Sequence, residues 1–251
     1  ENEMSVSLKI KSGLERASWI RRVFEEGAEL KARVGPDKVF DFTLGNPDLE
    51  PPPRFKEVLA EVARDPSLRL HGYMPNAGLL STREALSGYL RDMYRQDFGP
   101  QDLVLTCGAA GAINVILKAI LDPGDEVLIF APFFPEYTFY ADNHGGTAKV
   151  VETDEFFQID LAGLEEALSP RTRAVLINSP NNPTGQVYPA PSLIKVGHLL
   201  KQYGDRVGRE IYLVADEPYS RILFDGLELP NIFAVYPETV LATSFSTDLS
   251  L

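Results

Sequence analysis

The feature that most constrains this chain is a repeated alternation that begins near residue 100. Short apolar runs, rich in β-branched residues, lie at 103–106 (LVLT), 126–130 (EVLIF), 148–152 (AKVVE), 174–178 (AVLIN), 211–215 (IYLVA) and 239–243 (TVLAT). Amphipathic or turn-rich stretches separate them. Near-continuous apolar runs of this length suit strands buried on both faces, the situation of a parallel sheet covered by helices on either side. Between the first two runs, Ile113, Ile116, Leu117 and Ile120 recur at helical spacing over 110–121, and Asp122-Pro-Gly-Asp125 supplies the residues that stop that helix. Residues 161–168 and 193–203 read as further helices. The pattern predicts an α/β chain with three α/β/α layers around a mostly parallel sheet.

The first hundred residues are less regular. Helices are predicted at 13–32, which carries the only tryptophan, Trp19, and at 54–64 and 82–94. The segment 44–53 (LGNPDLEPPP) is too rich in breakers to be helix or central strand, so it reads as loop or extended chain. The expected division is an N-terminal arm with part of a small domain over 1–47 and a large domain over 48–251. No internal repeat occurs, which excludes a solenoid.

With 44% apolar and 24% charged residues the chain has ordinary globular usage, which excludes disorder and collagen-like structure. Lys plus Arg number 24 against 36 Asp plus Glu, a formal charge of −12. Such acidity repels phosphate backbones and anionic headgroups, so neither nucleic acid nor membrane is expected as a partner. No run approaches the ~18–20 consecutive apolar residues that span a bilayer. The first residues show no basic segment leading into an apolar one, so a cytoplasmic location is expected. The single cysteine, Cys107, cannot form an internal disulfide and reads as a small buried hydrophobe. His71, His144 and His198 are too far apart in sequence to make a metal motif, and no metal is expected.

Ligands of open α/β sheets bind beyond the carboxyl ends of the strands, so the residues that follow each run matter most. After the first run, Cys107-Gly-Ala-Ala-Gly111 opens a helix; its free N–H groups suit a phosphate, or it is a bare βα turn. Neither Gly-x-Gly-x-x-Gly nor Gly-Lys-Ser/Thr is present, which argues against dinucleotide and ATP sites. After the fourth run, Asn178-Ser-Pro-Asn-Asn-Pro-Thr-Gly185 is made of turn residues but carries more amides than a turn requires. After the fifth comes Ala215-Asp-Glu-Pro-Tyr219. An Asp there must be ion-paired, cap a helix or meet a ligand, because burying it alone is costly. The hydroxyls of Ser244-Phe-Ser-Thr-Asp248 after the sixth run suit a phosphate or a helix cap.

Together these motifs resemble the fold-type I, pyridoxal phosphate-dependent aminotransferases of class I/II, the aspartate aminotransferase-like group, from about Leu44 to Leu251. The resemblance implies pyridoxal 5′-phosphate as cofactor, with Gly108, Ala109, Ala110 and Ser244 at its phosphate. Phe134, in Pro132-Phe-Phe-Pro135, matches the aromatic that stacks on the ring, and Asn182 and Tyr219 match the pair at the ring's 3-oxygen. Asp216 matches the carboxylate that holds a proton on the pyridine nitrogen, the protein's main electronic contribution to such a cofactor. Tyr73, in Tyr-Met-Pro-Asn-Ala-Gly78, resembles a tyrosine that reaches the phosphate of a neighbouring subunit, which implies a homodimer. Gly45, in Leu-Gly-Asn-Pro-Asp48, resembles the loop that meets the substrate carboxylate, with Asn182 beside it. The implied reaction is amino transfer between an L-amino acid and a 2-oxo acid, with Asp216 and Tyr219 taking part in catalysis.

The sequence departs from the family in two ways. Thr247 stands where the family has its Schiff-base lysine, three residues after Ser244, and no lysine follows Lys201. A threonine offers no amine to bond the cofactor or carry a proton, so the chain as written is expected to be impaired. Family members also continue past the position of Leu251, so a C-terminal truncation is expected. Besides amino transfer, the same scaffold suits a non-catalytic cofactor-binding relative, an interaction protein, or a carbon–sulfur lyase or decarboxylase, since a fold does not fix a reaction.

Overall fold

Five of the six apolar runs pair into one sheet in the computed structural model, which describes residues 6–42, 45, 49–66 and 72–251, the side chains of 12–22 and 24 excepted. Leu44, residues 46–48, His71 and the side chain of Trp19, all singled out in the sequence, lie outside the described residues. The strands are β1 (Glu126–Ala131), β2 (Thr147–Glu152), β3 (Thr172–Asn178), β4 (Tyr212–Asp216) and β5 (Thr239–Ala242). They lie in the order β2-β1-β3-β4-β5, and every neighbouring pair is parallel.

Strand alternation gives the sheet two buried faces. Val127, Ile129, Ala174, Leu176 and Val214 pack on one face with Ile113 and Leu117 of helix α4 (Gly108–Ile120) and Tyr137 and Ala141 of helix α5 (Glu136–Asn143). Leu128, Phe130, Val175, Ile177, Leu213 and Ala215 pack on the other, against Leu164 of α6 (Leu161–Ala167) and Leu193, Val196 and Leu200 of α7 (Ala190–Val207). Parallel strands feed this arrangement because each return crossing must pass over a face, and the crossing helix covers it. The expected three layers are present.

Three differences from the sequence reading have local causes. Residues 103–106 form no strand of the sheet; Leu105 instead donates its N–H to the Ala77 carbonyl at 3.0 Å. Apolar character alone does not make a strand without a ladder partner. Helix α5 had no counterpart in the sequence reading, because Tyr137, Tyr140 and Ala141 give only one turn of helical spacing after Pro135. Cys107 is also exposed, not buried, because it sits at the N-cap of α4 on the rim of the sheet.

The chain divides into two compact units, Glu1–Glu50 and Pro51–Leu251. The first contains α1 (Leu8–Val34), longer than the 13–32 expected because the Ser7 hydroxyl accepts the Ile10 N–H at 3.2 Å and so caps an earlier start. The second also holds α2 (Pro53–Arg64), α3 (Leu80–Tyr94) and the short α8 (Ser246–Leu249). Among the described residues no helix is long and apolar enough to cross a membrane. Among them, too, no group of three His, Cys, Asp or Glu side chains is placed to hold a metal ion.

Packing on α7 is close enough to be tested at one glycine. A methyl group on Gly197 would lie 2.6 Å from the Val235 carbonyl oxygen and 3.2 Å from Tyr236 Cβ, whereas one on Gly88 of α3 would meet only Arg91 Nη2 at 4.0 Å. Helix propensity favours Ala over Gly at both sites by roughly 1 kcal/mol. At Gly197 the overlap outweighs it, so Gly197→Ala should lower stability by about 1–2 kcal/mol. Gly88→Ala should raise it by about 0.5–1 kcal/mol, and urea denaturation of the two variants measures both.

Candidate active site

The parallel register decides which side chains meet at the carboxyl edge of the sheet. Asn178, the last residue of β3, stands opposite Asp216, the last residue of β4. The strand order also reverses between β1 and β3, the place where an open α/β sheet leaves a crevice at its carboxyl edge. That crevice has about 380 Å³ of empty volume; its wall includes Ala109, Ala110, Phe134, Asn182, Asp216 and Tyr219, all expected from the sequence.

Asp216 lies at the bottom of the crevice and is only 5% exposed. The buried hydroxyl of Tyr137, on α5, donates to Asp216 Oδ2, and Oδ1 has no hydrogen-bond partner. Burial pushes the Asp216 carboxyl up to about 6, with the Tyr137 hydrogen bond opposing the shift. Tyr137 is itself pushed well above the usual phenol range, first by burial and then by the nearby carboxylate, so it stays a donor. Its ring meets Phe134 edge-on with centroids 5.6 Å apart, which fixes one aromatic wall.

The asparagine-rich loop after β3 is tied down by its own amides. Asn178 donates to the Asp216 carbonyl at 2.9 Å and accepts the Asn182 N–H at 2.6 Å. Asn181 Oδ1 accepts from the Thr184 N–H and hydroxyl at 3.1 and 2.8 Å. The loop therefore spends Asn178 and Asn181 on its own shape and leaves the Asn182 side chain at the crevice. There Asn182 Nδ2 donates to the Tyr219 hydroxyl at 3.4 Å.

At the far rim, Gly108 opens α4 with φ +69°, a left-handed conformation that favours glycine. A Cβ there would stand 3.9 Å from the Ser244 hydroxyl, so the chain after β5 comes close to this helix start. The first-turn N–H groups of α4 have no intrahelical acceptors. Ala109 and Ala110 keep the approach to them open, and the arrangement suits a bound anion.

Other expected residues fall outside the crevice wall. Tyr73 is fully exposed and does not line it. Thr247 is half-buried on α8, likewise outside the lining. Gly45 is exposed and belongs to the first unit. Conversely, Tyr137, Tyr140 and Ile113 line the crevice and were not among the expected site residues. Tyr137 carried a faint signal, one aromatic at i+3 from Phe134, but only the fold brings its hydroxyl to Asp216.

The next residue, Glu217, is buried on the opposite face of the sheet, where the Tyr94 hydroxyl donates to it at 2.7 Å. Burial pushes Glu217 up to about 7. Both carboxyls therefore ionise at higher pH in the folded chain than in the unfolded one. Below about pH 4 both are protonated in either state, and their contribution to stability is fully present. As pH rises through about 6 to 7 the folded chain must carry buried charges, and that contribution is lost. The ligand-free protein should thus lose stability across this interval. Asp216→Asn should reduce the loss by on the order of 2 kcal/mol, measured by urea midpoints from acid to neutral pH.

Residues 37–251 match the family described as aminotransferase class I and II. The chain is 35% identical over 196 residues to an aspartate/prephenate aminotransferase of Thermus thermophilus, covering 77% of this chain and 48% of that protein. It is also 35% identical over 209 residues to an aspartate aminotransferase of Thermotoga maritima, covering 82% of this chain and 53% of the relative. The chain spans about half the length of the curated relatives it matches. A crystal structure of an aminotransferase from Eubacterium rectale superposes with a TM-score of 0.91 at 36% identity, covering 99% of this chain and 63% of the other. With the matched region running through the whole sheet and every wall of the crevice, the chain belongs to the class I and II aminotransferases, a pyridoxal phosphate-dependent family.

Proposed function

We propose that the crevice is a pyridoxal phosphate site and that the protein transfers an amino group between an L-amino acid and a 2-oxo acid. The observation that carries this reading is Asp216, a buried carboxylate whose Oδ1 lacks any partner at the floor of the crevice. A desolvated acceptor of this kind is costly unless a donor arrives, and a protonated ring nitrogen is such a donor. The other groups fit the same ligand: the Phe134 ring as a flat wall, the Asn182–Tyr219 pair as partners for a ring oxygen, and the start of α4 with Ser244 for a phosphate.

When bound, pyridoxal phosphate supplies an electron-accepting ring. Asp216 Oδ1 would hold the proton on the ring nitrogen, and the positive charge there would draw the carboxyl back toward its ionised form. Tyr137, by holding Oδ2, orients that carboxylate. Asn182 and Tyr219 would bind the ring oxygen, and the backbone of Gly108, Ala109 and Ala110 would bind phosphate without needing a cation. Tyr73, being exposed, is free to reach the site of a second subunit in a homodimer. The amino acids and 2-oxo acids of the cytoplasm would be the substrates.

Thr247 sets the rate. A hydroxyl cannot take and return the proton on the substrate carbon as an amine does, and loss of a positioned general base costs about 10²–10⁴-fold. A second reading, a relative that binds cofactor without turnover, rests on the same residue. Asp216→Ala should weaken pyridoxal phosphate binding by about 10²-fold in a spectroscopic titration; unchanged affinity would remove the assignment. In an amino-transfer assay of the full-length protein, Thr247→Lys should raise turnover by about 10²–10⁴-fold. Tight binding with no turnover in either form would establish the second reading.

A further inference from the structure

We infer that Tyr89 of α3 and Arg221 form a joint outside the crevice that sets the place of the Ser244 hydroxyl, and so governs how firmly the site holds a phosphate. Neither side chain lines the crevice, so both act through another residue. The inference rests on the cofactor reading given above and adds two positioning residues to it.

Tyr219 lies on the segment after β4, and Ser244 on the segment after β5. Next to the sheet these segments are stitched together directly. The Glu217 N–H donates to the Ala242 carbonyl at 2.9 Å, and the Thr243 hydroxyl donates to the Glu217 carbonyl at 3.0 Å. That ladder ends at the residue before Ser244, and from there side chains make the connection. Arg221, in the turn that carries Tyr219, donates from Nε and Nη2 to the Tyr89 hydroxyl at 3.2 and 2.5 Å. Its Nε also lies 3.7 Å from Asp248 Oδ2 on α8, whose side chain is only 6% exposed. The ring of Phe245, next to Ser244 in the chain, meets the Tyr89 ring with centroids 6.1 Å apart. Tyr89 thus touches both segments, and Arg221 spans from one to the other.

The Ser244 hydroxyl belongs to the start of α8: its Oγ accepts the Ser246 N–H at 3.1 Å and lies 2.7 Å from Ser246 Oγ. A helix as short as Ser246–Leu249 is marginal by itself, so its place depends on what its side chains grip. Phe245 and Asp248 grip Tyr89 and Arg221. A guanidinium suits the joint because its planar fork can serve a hydroxyl and a carboxylate together, which a point-charge ammonium does less well. The Arg221 side chain is 56% exposed, so its ion pair contributes little to global stability, and its effect is on geometry. Tyr219 does not share this dependence. The Ile222 N–H closes its turn by donating to the Tyr219 carbonyl at 2.9 Å, and Asn182 holds its hydroxyl. Loosening the joint should therefore be felt at the phosphate end of the site and not at the ring.

The test is spectroscopic titration of the full-length protein with pyridoxal phosphate and, separately, with pyridoxal, which lacks the phosphate. Tyr89→Phe, which keeps the ring and removes the hydroxyl, and Arg221→Met should each weaken pyridoxal phosphate binding by about three- to tenfold, the equivalent of roughly one hydrogen bond. Pyridoxal binding should not change. In a Ser244→Ala background neither substitution should weaken pyridoxal phosphate further, because the residue through which they act is gone. Unchanged affinity for pyridoxal phosphate, an equal loss for both ligands, or a loss that persists in full beside Ser244→Ala overturns the inference while leaving the cofactor site intact. Where pyridoxal binds too weakly to measure, the Ser244→Ala comparison decides the matter, and Tyr89→Phe alone decides it should Arg221→Met not fold. If the native protein binds neither ligand, the cofactor reading itself fails and the inference with it.

Discussion

Asp216 closes β4 at a depth where only 5% of its surface meets water, and a carboxylate in that position has to be answered by donors from elsewhere in the chain. Tyr137 answers one oxygen from α5, and Asn178 answers the Asp216 backbone carbonyl from the neighbouring strand. Those two bonds tie together the segments after β1, β3 and β4, which build most of the crevice wall. Removing either donor would leave a desolvated acceptor, at a cost greater than the bond itself contributes. The remaining oxygen, Oδ1, is buried without a hydrogen-bond partner, so the polarity of the carboxylate is not fully answered within the described residues.

The consecutive carboxylates Asp216 and Glu217 show how strand geometry separates chemistry from support. Successive side chains point to opposite faces, so one acid reaches the crevice side with Tyr137 and the other reaches Tyr94 of α3. Each is desolvated and each is held by a single phenol. A tyrosine is suited to that position because burial keeps its proton on, and it donates without adding a charge that would then need its own partner. At the rim the start of α4 lies close to the Ser244 hydroxyl, an arrangement of neutral donors that suits an anion without a cation in a chain of net charge −12.

Thr247 stands where the resemblance places a Schiff-base lysine. Asp216 and the Asn182–Tyr219 pair line the crevice, whereas the position three residues beyond Ser244 has no amine. Under the proposed reading, binding polarity and proton transfer would lie on different segments, so that one could change while the other persists. The crevice geometry does not depend on residue 247, which lies on α8 outside its lining.

The sequence by itself determined the layer architecture, because apolar runs at strand length separated by helical spacing can bury both faces only between helices. It also singled out the segments that hold Ala109, Ala110, Asn182, Asp216 and Tyr219, because they follow apolar runs and ligands of such sheets gather at those ends, while the family resemblance added Phe134; all six line the crevice. Strand order and pairing were decided by tertiary structure. Residues 103–106 have the composition of a strand yet lie outside the sheet, because hydrogen-bonded partners are a property of neighbours and not of the run itself. Tyr137 shows the same limit at the site: 79 residues separate it from Asp216 in the chain. No local pattern connects a phenol on a short helix to a carboxylate that far away; only packing α5 against the face of β1 and β3 brings the two together.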